Sequence, residues 1–157
     1  MMNDIIQIVD YKPEYKQHFA ELNKEWISKY FKMEPSDYKA LDHVDEYIIQ
    51  NKGHIIVALY NGDPMGVCAL IKMEDPDYDF ELAKMAVSPI VQGKKIGWKL
   101  GEAVKEKARQ LGAKKLYLES NTILVPAINL YRKLGFTEVF GRPTPYERCN
   151  IQMELIL

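Results

Sequence analysis

"VSPIVQGKKIGWKLGEAV", residues 87–104, joins the end of a strand pattern to the start of an amphipathic helix pattern. The corner between the two patterns contains a glutamine, two glycines and two lysines: Gln92, Gly93, Lys94, Lys95 and Gly97. The N-terminus of a helix has backbone N–H groups without partners and carries the positive end of the helix dipole. Glycines let a ligand approach these groups closely, and lysines add positive charge. The corner therefore favours a binding site for a small anion.

The same corner is also compatible with an ordinary strand-to-helix turn whose lysines are solvated. Its spacing excludes two common phosphate loops. No Gly-Lys-Ser/Thr sequence follows, and the glycines lack the G-x-G-x-x-G spacing of dinucleotide-binding turns. A G-x-x-x-G stretch alone does not decide between an anion site and a turn, so the surrounding sequence has to be considered.

The composition indicates one domain over residues 1–157. A chain of 157 residues that is 47% hydrophobic is long enough for one core and short for two. Helix and strand patterns alternate along it, which favours the α/β or α+β class. The formal net charge of −1 creates no field that would recruit nucleic acid or an anionic membrane, so neither partner is expected.

The cysteines, the histidines and the first residues bear on metals and location. Cys68 and Cys149 have no metal-ligand spacing and are expected to be reduced thiols, and the three histidines are scattered, so no metal site is expected. Residues 1–16 become polar and acidic too early for a secretory signal, and no apolar run approaches membrane-spanning length. These features together predict a cytoplasmic protein.

Periodicity places the other elements around the corner. The preceding strand is predicted at 80–88, and the following helix begins at Ile96. Ser36 or Asp37 is expected to cap the second helix, and Asn61-Gly62 is a strong hairpin signal. Further strands are predicted at 5–11, 54–60, 63–73, 114–120, 136–140 and 150–157, and further helices at 13–31, 36–53 and 126–135.

Two stretches, "ELAKMAVSPIVQGKKIGWKL" (81–100) and "LYLESNTILVPAINLYRKLGF" (116–136), follow each other in the chain. Together they resemble the GNAT superfamily of acyl-CoA-dependent N-acetyltransferases, in matching order over about residues 55–140. The phosphate loop of that family is commonly Gln/Arg-x-x-Gly-x-Gly/Ala. Gln92 and Gly97 match its ends, whereas Lys95 replaces its middle glycine. The resemblance implies an α/β (α+β) domain of GNAT type, with a central mixed, mostly antiparallel sheet of about seven strands and helices on both faces.

The resemblance also implies acetyl-CoA as the cosubstrate. Its pyrophosphate would bind the amides of residues 93–97, and its pantetheine arm would pair with the backbone of residues 85–87 between splayed strands. Related proteins often use an asparagine in the place of Asn129 near these groups. Asn121 could contact coenzyme or substrate or cap a turn, and Asn129 could equally be exposed without a role. The implied coenzyme-binding residues are Met85, Ala86, Val87, Gln92, Gly93, Lys94, Lys95, Ile96, Gly97, Asn121 and Asn129.

Glu81 is the first candidate for the general base that amine acetylation needs. Strand alternation puts it on one face with Ala83, Met85 and Val87. A carboxylate among apolar neighbours is poorly solvated, which raises its pKa and strengthens it as a base. The resemblance implies the same role, whereas a charge at the start of a strand could also be half solvated and inert.

Glu119 and Tyr131 are the other candidates for proton transfer. Glu119 alternates with Lys115 and Tyr117 on a more polar face, so it could be the base, an ion-pair partner or a substrate contact. Tyr131 shares a helical stripe with Leu134, which by itself indicates core packing. The resemblance implies in addition that Tyr131 protonates the sulfur of the coenzyme.

The acceptor is expected between residues 13–50 and the segment 143–155, which the resemblance makes the walls of the amine site. Arg142 and Arg148, near the second wall, could bind a carboxylate. The first wall has aromatic and acidic residues that would instead favour a small cation: Tyr30, Phe31, Glu34, Asp37 and Tyr38.

These features predict an N-acetyltransferase that moves an acetyl group to a primary amine by direct attack, assisted by a general base and a general acid. A free amino acid, a small amine, an antibiotic and a protein amine all remain open as the acceptor. The alternative is a non-catalytic acyl-CoA-binding sensor or interaction domain. A homodimer formed through the last strands is a further expectation.

Overall fold

The computed structural model describes residues 4–157, and one seven-stranded sheet forms the centre of that part of the chain. Its strands are β1 (Ile6–Asp10), β2 (His54–Tyr60), β3 (Asp63–Lys72), β4 (Phe80–Val87), β5 (Lys115–Ser120), β6 (Thr137–Val139) and β7 (Ile151–Ile156). The order across the sheet is β1-β2-β3-β4-β5-β7-β6. Neighbouring strands are antiparallel, except that β4 and β5 are parallel. The predicted mixed, mostly antiparallel sheet is confirmed.

Helices cover both faces of this sheet. They are α1 (Lys16–Tyr30), α2 (Pro35–Asp42), α3 (Ile96–Gln110) and α4 (Val125–Leu134). On one face, Leu100 of α3 belongs to the same buried cluster as Leu82 of β4. On the other face, Phe19 of α1 belongs to a second buried cluster with Val67 of β3. The apolar stripes of α1 and α3 are thus buried against opposite faces of the sheet, which is the arrangement that the resemblance implied.

The strands β4 and β5 separate soon after they begin. Their parallel pairing ends at Glu81 with Tyr117, although β4 continues to Val87 and β5 to Ser120. Beyond Glu81, one edge of β4 therefore has no strand beside it, and its backbone polar groups are available to a ligand. This gap opens at the centre of the sheet and leads directly to the strand-helix corner.

A bulge at Lys84 contradicts the predicted alternation of β4. Lys84 has a left-handed backbone (φ 53°), and the register of β4 against β3 shifts at this point. Glu81 and Ala83 pair with β3 residues that face α1, whereas Met85 packs against the core cluster beneath α3. The prediction that Glu81, Ala83, Met85 and Val87 share one face is therefore wrong, because one extra residue exchanges the faces of everything that follows.

The single helix predicted over 36–53 is divided in the structure. α2 is followed by a separate π-helical turn, Asp45–Ile49, before β2 begins. The N-cap of α2 is Glu34, and Asp37 closes a reciprocal capping box with it. The prediction of Ser36 or Asp37 as the cap is wrong, because a proline in the first turn and this capping box start the helix earlier.

The hairpin predicted at Asn61-Gly62 is confirmed. β2 and β3 pair antiparallel around it, and both turn residues have positive φ angles, 50° and 88°. A two-residue hairpin turn of this kind needs left-handed backbone at both positions, which asparagine and glycine tolerate. The side chain of Asn61 also accepts the backbone N–H of Ile5 at 2.9 Å, which ties the start of β1 to the turn.

Candidate active site

A cleft of about 380 Å³ occupies the gap between β4 and β5. We call the part lined by 85–87, Gln92 and Gly97 the corner half. The part lined by Trp26, Tyr30, Phe31 and Tyr146 is the aromatic half. Glu81, Glu119 and Tyr131 also line the cleft. The structure thus brings the predicted proton-transfer residues into one cavity with the start of α3.

The corner leaves a run of backbone N–H groups unpaired. Gly93 (φ 85°) and Lys95 (φ 62°) both have left-handed backbones, and Lys95 is the N-cap of α3. Among residues 4–157, no protein acceptor takes the amides of residues 93–97. Lysine therefore adopts here the turn that a glycine would form without strain. The corner has the free donors to which an anion binds.

The side chains of the corner only partly follow the prediction. Of the predicted coenzyme residues, those that line the cleft are Met85, Ala86, Val87, Gln92, Gly97 and Asn121. Lys94 turns to Asp4, with its Nζ 2.7 Å from a carboxylate oxygen, and lies over the ring of Tyr60 at 5.4 Å. Ile96 is buried in the core. Gly93, Lys94, Lys95 and Ile96 could therefore meet a ligand in this structure through their backbones rather than through their side chains.

The two asparagines differ in position: Asn121 lines the cleft and Asn129 does not. Asn121 donates from Nδ2 to the carbonyl of Arg148 at 2.7 Å and accepts the amide of Ile123 at 2.9 Å. Its side chain therefore caps the turn after β5, which is one of the alternatives left open by the sequence. Asn129 is exposed on α4 and lies outside the cleft lining.

Gly97 packs closely where α3 begins. A Cβ atom at this position would lie 3.2 Å from Cδ2 of Leu130, a tighter separation than ordinary van der Waals contact. Both residues line the cleft. The glycine keeps the first turn of α3 close to α4, and a larger side chain would have to enter the cleft or push Leu130 aside.

Glu81 and Glu119 are the two carboxylic acids in the cleft lining, and they differ in their hydrogen bonds. Glu119 accepts the hydroxyl of Tyr117 at 2.7 Å and that of Thr144 at 2.8 Å, one on each oxygen. Glu81 accepts no hydrogen bond from residues 4–157. Burial raises the pKa of Glu81 to about 8; the charge of Glu119 adds to this rise and that of Lys84 opposes it. Glu81 is therefore poised to exchange a proton near neutral pH.

Tyr131 combines an apolar contact with a polar tip in the cleft. Its ring meets that of Phe136 edge-on, with the centroids 6.2 Å apart. Burial raises the pKa of its phenol, and the nearby Cys68 adds to the rise. The phenol is thus fully protonated at neutral pH and can donate a proton. Tyr131 therefore packs against the core, as its helical stripe indicated, and it also lines the cleft.

A buried ion cluster behind the aromatic half was not found from the sequence. Lys84 Nζ lies 2.6 Å from Asp37, and Arg148 donates to both oxygens of the same carboxylate at 2.5 and 2.6 Å. Arg148 also donates to Glu34 at 3.3 Å. Burial alone would raise the pKa of Asp37, but the hydrogen bonds from Arg148 and the charge of Lys84 lower it to about 2.

One signal for this cluster was present in the sequence. Lys84 stands between apolar residues in a strand whose other charged residue is Glu81, and a lysine in such a position needs a counter-ion. Its partners come from α2 and from the segment before β7, both more than 45 residues away in the chain. Tyr146 completes the arrangement: its hydroxyl accepts from Lys84 at 3.0 Å, and the guanidinium of Arg148 lies 4.5 Å from its ring centroid.

Both arginines predicted for acceptor binding are already paired with acids of the chain. Arg148 is engaged by Asp37 and Glu34, and Arg142 contacts Asp75 and lies outside the cleft lining. Of the predicted cation-binding wall, Tyr30 and Phe31 line the cleft. Tyr38 is 48% exposed and is covered by the Nζ of Lys24 at 5.9 Å.

Two features are absent from residues 4–157. No cluster of three or more His, Cys, Asp or Glu side chains in this part of the chain is arranged to hold a metal ion. No helix within it has the length and apolar character needed to cross a membrane.

Comparison with known proteins identifies relatives over most of this fold. The model of the family described as Acetyltransferase (GNAT) family matches residues 18–136. The uncharacterized N-acetyltransferase YjgM of Escherichia coli (strain K12) is 34% identical over 94 residues, which are 59% of this chain and 56% of that protein. The IAA acetyltransferase of Azospirillum brasilense is 34% identical over 83 residues, 53% of this chain and 54% of that protein. The match thus spans about half the length of these curated relatives.

Solved structures share the fold at low identity. An acetyltransferase of the GNAT family from Staphylococcus aureus Mu50 aligns over 96% of this chain and 98% of its own, with a TM-score of 0.84 and 22% identity. The protein yncA from Salmonella typhimurium, solved with its cofactor acetyl-CoA, aligns over 96% and 93%, with a TM-score of 0.73 and 18% identity. The fold predicted from the sequence is confirmed.

Proposed function

This chain belongs to the acetyltransferase (GNAT) family, and we propose that it transfers the acetyl group of acetyl-CoA to a primary amine held in the cleft. One observation carries the proposal. The cleft contains an open strand edge and a half-buried carboxyl that accepts no hydrogen bond, and Gly97 in its lining connects it to the free backbone donors of the corner. An ordinary strand-helix turn with solvated lysines would need neither the open strand edge nor the carboxyl.

Residues of the corner half fit the coenzyme. The unpaired amides of residues 93–97 would hold the diphosphate, with the dipole of α3 behind them. The open edge of β4 at residues 85–87 offers backbone partners to the amide-containing arm. Bound there, acetyl-CoA would provide the acetyl group and a thiol leaving group.

The residues of the chain would then move two protons. The amine nitrogen forms a bond to the acetyl carbonyl carbon while the carbon–sulfur bond breaks. Glu81 takes one proton from the nitrogen, and Tyr131 gives one to the sulfur. Glu81 afterwards loses its proton to solvent and Tyr131 regains one, so that both residues return to their starting states.

Glu81 is the better base of the two glutamates. Each oxygen of Glu119 already accepts a hydrogen bond from a hydroxyl, so a proton from the amine would have to compete with Tyr117 or Thr144. Glu81 has no such partner, and its pKa of about 8 lies close to the pH at which a general base works best. Glu119 would then act mainly by keeping a negative charge beside Glu81.

Tyr131→Phe separates coenzyme binding from proton transfer. The variant keeps the ring and its contact with Phe136 but loses the proton donor. Calorimetry should show acetyl-CoA bound as by the wild type, and thiol release with an accepted amine should slow about 10²-fold. Tyr47→Phe, at an exposed position outside the cleft lining, is the matched control and should leave both unchanged.

The wild-type protein gives the primary test. Acetyl-CoA should bind, and a panel of amines should yield at least one acetylated product by mass spectrometry. If acetyl-CoA binds but no amine of any class is acetylated, the chain is an acyl-CoA-binding module instead. If acetyl-CoA does not bind, the chain is neither the proposed acetyltransferase nor an acyl-CoA-binding module.

A further inference from the structure

We infer that the acceptor is a primary monoamine with an aromatic or apolar body and no carboxylate beside the amine, as in an arylalkylamine. The inference rests on the proposed function, since it names the acceptor of the same cleft. It depends on three features of the described residues: the aromatic half, the pairing of every cation in the cleft lining, and the number of free carboxyls.

The aromatic half provides an apolar surface with few free polar groups. Trp26 and Phe31 meet edge-on, with their centroids 6.5 Å apart. The indole N–H of Trp26 is already donated to Asn23 at 3.0 Å, so it offers no hydrogen bond to a ligand. Tyr146 adds a further ring to the lining. Rings in this arrangement favour an apolar or aromatic body over a polar one.

No cation in the cleft lining is available to a carboxylate of the acceptor. Lys84 and Arg148 are the lysine and arginine of the lining, and both are bound to Asp37. Arg148 is shared with Glu34 as well. Two positive and two negative charges thus form a neutral cluster, with Lys84 and Asp37 almost completely buried.

The remaining charges of the lining are unfavourable for an acid. Glu81 and Glu119 are the other titratable carboxyls there, and Glu119 stands as an acceptor of two hydroxyls. A carboxylate next to the reacting amine would lose water and gain no cation in this environment. A free amino acid is therefore rejected, whereas its decarboxylated counterpart is accepted.

The same pairing limits the number of ammonium groups. Glu81 is the carboxyl of the cleft lining that accepts no hydrogen bond from residues 4–157, and it faces the reacting nitrogen in the proposed step. Glu119 already accepts a hydroxyl on each oxygen, so a second ammonium would have to share these oxygens with Tyr117 and Thr144 rather than meet a free carboxyl. The cleft consequently favours a monoamine over a polyamine.

Matched substrate pairs test the inference on the purified wild-type chain. With acetyl-CoA present, thiol release is measured for phenylethylamine against phenylalanine and for tryptamine against tryptophan, with spermidine and a lysine-containing peptide alongside. We expect kcat/KM for each amine to exceed that for its amino acid by at least about 100-fold, because a site with no partner for a buried charge discriminates strongly.

The outcomes separate the inference from the proposed function. If phenylalanine reaches within about tenfold of phenylethylamine, or if spermidine or the peptide is the better substrate, the inference is overturned while acetyl transfer stands. If no compound of any class is acetylated, the proposed function fails and the inference fails with it.

A charge variant tests the cause of the selectivity. Glu34→Gln removes one negative charge from the cluster, while its amide oxygen can still accept the backbone N–H of Glu147. Arg148 then carries uncompensated charge, and the amine-to-amino-acid ratio should fall at least about fivefold. Asp42→Asn removes the same charge from α2 at an exposed pair with Lys24 and should leave the ratio unchanged. An unchanged ratio in Glu34→Gln contradicts the charge explanation.

Discussion

The corner half of the cleft is built from backbone, whereas the aromatic half is built from side chains. The corner half borders residues 92–97, where five consecutive amides have no partner and two residues, Gly93 and Lys95, have left-handed backbones. Behind the aromatic half, Asp37, Lys84 and Arg148 meet from three separate segments of the chain. Local sequence therefore describes the first half, and only long-range packing assembles the second.

This difference has a physical consequence for substitutions. A backbone site tolerates a change of side chain as long as the turn forms and no bulk or charge enters it. A buried side-chain cluster loses its balance when any one charge is removed, since each charge compensates the others. The largest effects are therefore expected in the ion cluster and the smallest at the lysine of the corner.

Asp37→Asn should be the most damaging change. It leaves Lys84 and Arg148 close together with one fewer carboxylate, and breaking a buried pair in this way costs about 3 kcal/mol or more. Urea unfolding at pH 7 measures the loss, with Asp42→Asn as the exposed control. A loss below about 1 kcal/mol would mean that the cluster contributes little to stability.

Asp37→Asn should also change how the free energy of unfolding declines at acid pH. The pKa of Asp37 is lowered to about 2 from an ordinary value near 3.8, so its contribution is complete above about pH 4. That contribution is lost as the pH falls from about 4 through 2, where the folded-state carboxylate is protonated. Asp37→Asn should show a flatter decline over this window, and an identical decline would exclude Asp37 as its source.

Glu81→Gln should reduce kcat by about 10²-fold or more while acetyl-CoA binding is retained, because it removes the base and keeps the shape. The wild-type rate should rise with pH through about 8 as Glu81 ionises, and the variant should lack this rise. The rate of thiol release, measured between pH 6 and 9, gives both kcat and its dependence on pH. A normal rate in Glu81→Gln together with a slow Glu119→Gln would transfer the role of base to Glu119.

Glu81→Gln should also be more stable than the wild type at high pH. A carboxyl whose folded pKa is raised loses stability as the pH rises from its unfolded value toward about 8, and glutamine does not ionise. Thermal unfolding at pH 5 and pH 9 checks the sign, since the difference should appear only at the higher pH.

Gly97→Glu should weaken acetyl-CoA binding by about tenfold or more, equivalent to about 1.4 kcal/mol. The side chain would enter the cleft beside Leu130 and place a negative charge where the diphosphate is proposed to bind. Gln110→Glu adds the same charge at the exposed far end of α3 and is the control. Unchanged affinity in Gly97→Glu would argue against coenzyme binding at the corner.

Lys95→Gly should have the smallest effect. It removes the strain of a left-handed lysine, so stability should stay the same or rise by up to about 1 kcal/mol, and coenzyme affinity should change by less than about threefold because the backbone does the binding. Lys52→Gly, at another left-handed lysine outside the cleft lining, is the matched control for strain. A large loss of affinity only in Lys95→Gly would assign the Lys95 charge a binding role.

The sequence predicted the sheet, the hairpin and the helix that begins at the corner, because periodicity and turn residues act over a few positions. It failed where one residue changed the register. The bulge at Lys84 moves Met85 and Val87 to the other face, and nothing in an apolar run marks an extra residue. It also failed at the start of α2. The N-cap is Glu34, in a capping box with Asp37, whereas the pattern placed the cap two or three residues later, at Ser36 or Asp37.

Three candidate site residues, Glu81, Glu119 and Tyr131, could be selected from the sequence together with the resemblance, and the structure brings all three to one cleft. Their different environments could not be predicted. Tyr117 and Thr144 donate hydrogen bonds to Glu119, whereas Glu81 has no such donor. This difference depends on where β5 and the segment before β7 meet.

The amino-acid sequence alone determined the elements and the corner, since hydrophobic period, caps and glycines act through neighbouring residues. Only the tertiary structure decided which charges the cleft retains. Arg148 and Asp37 are 111 residues apart, and their pairing removes from the acceptor one of the two arginines that the sequence predicted for a carboxylate. Whether a buried charge is free or compensated depends on partners that the fold brings from distant positions, and no local pattern encodes that distance.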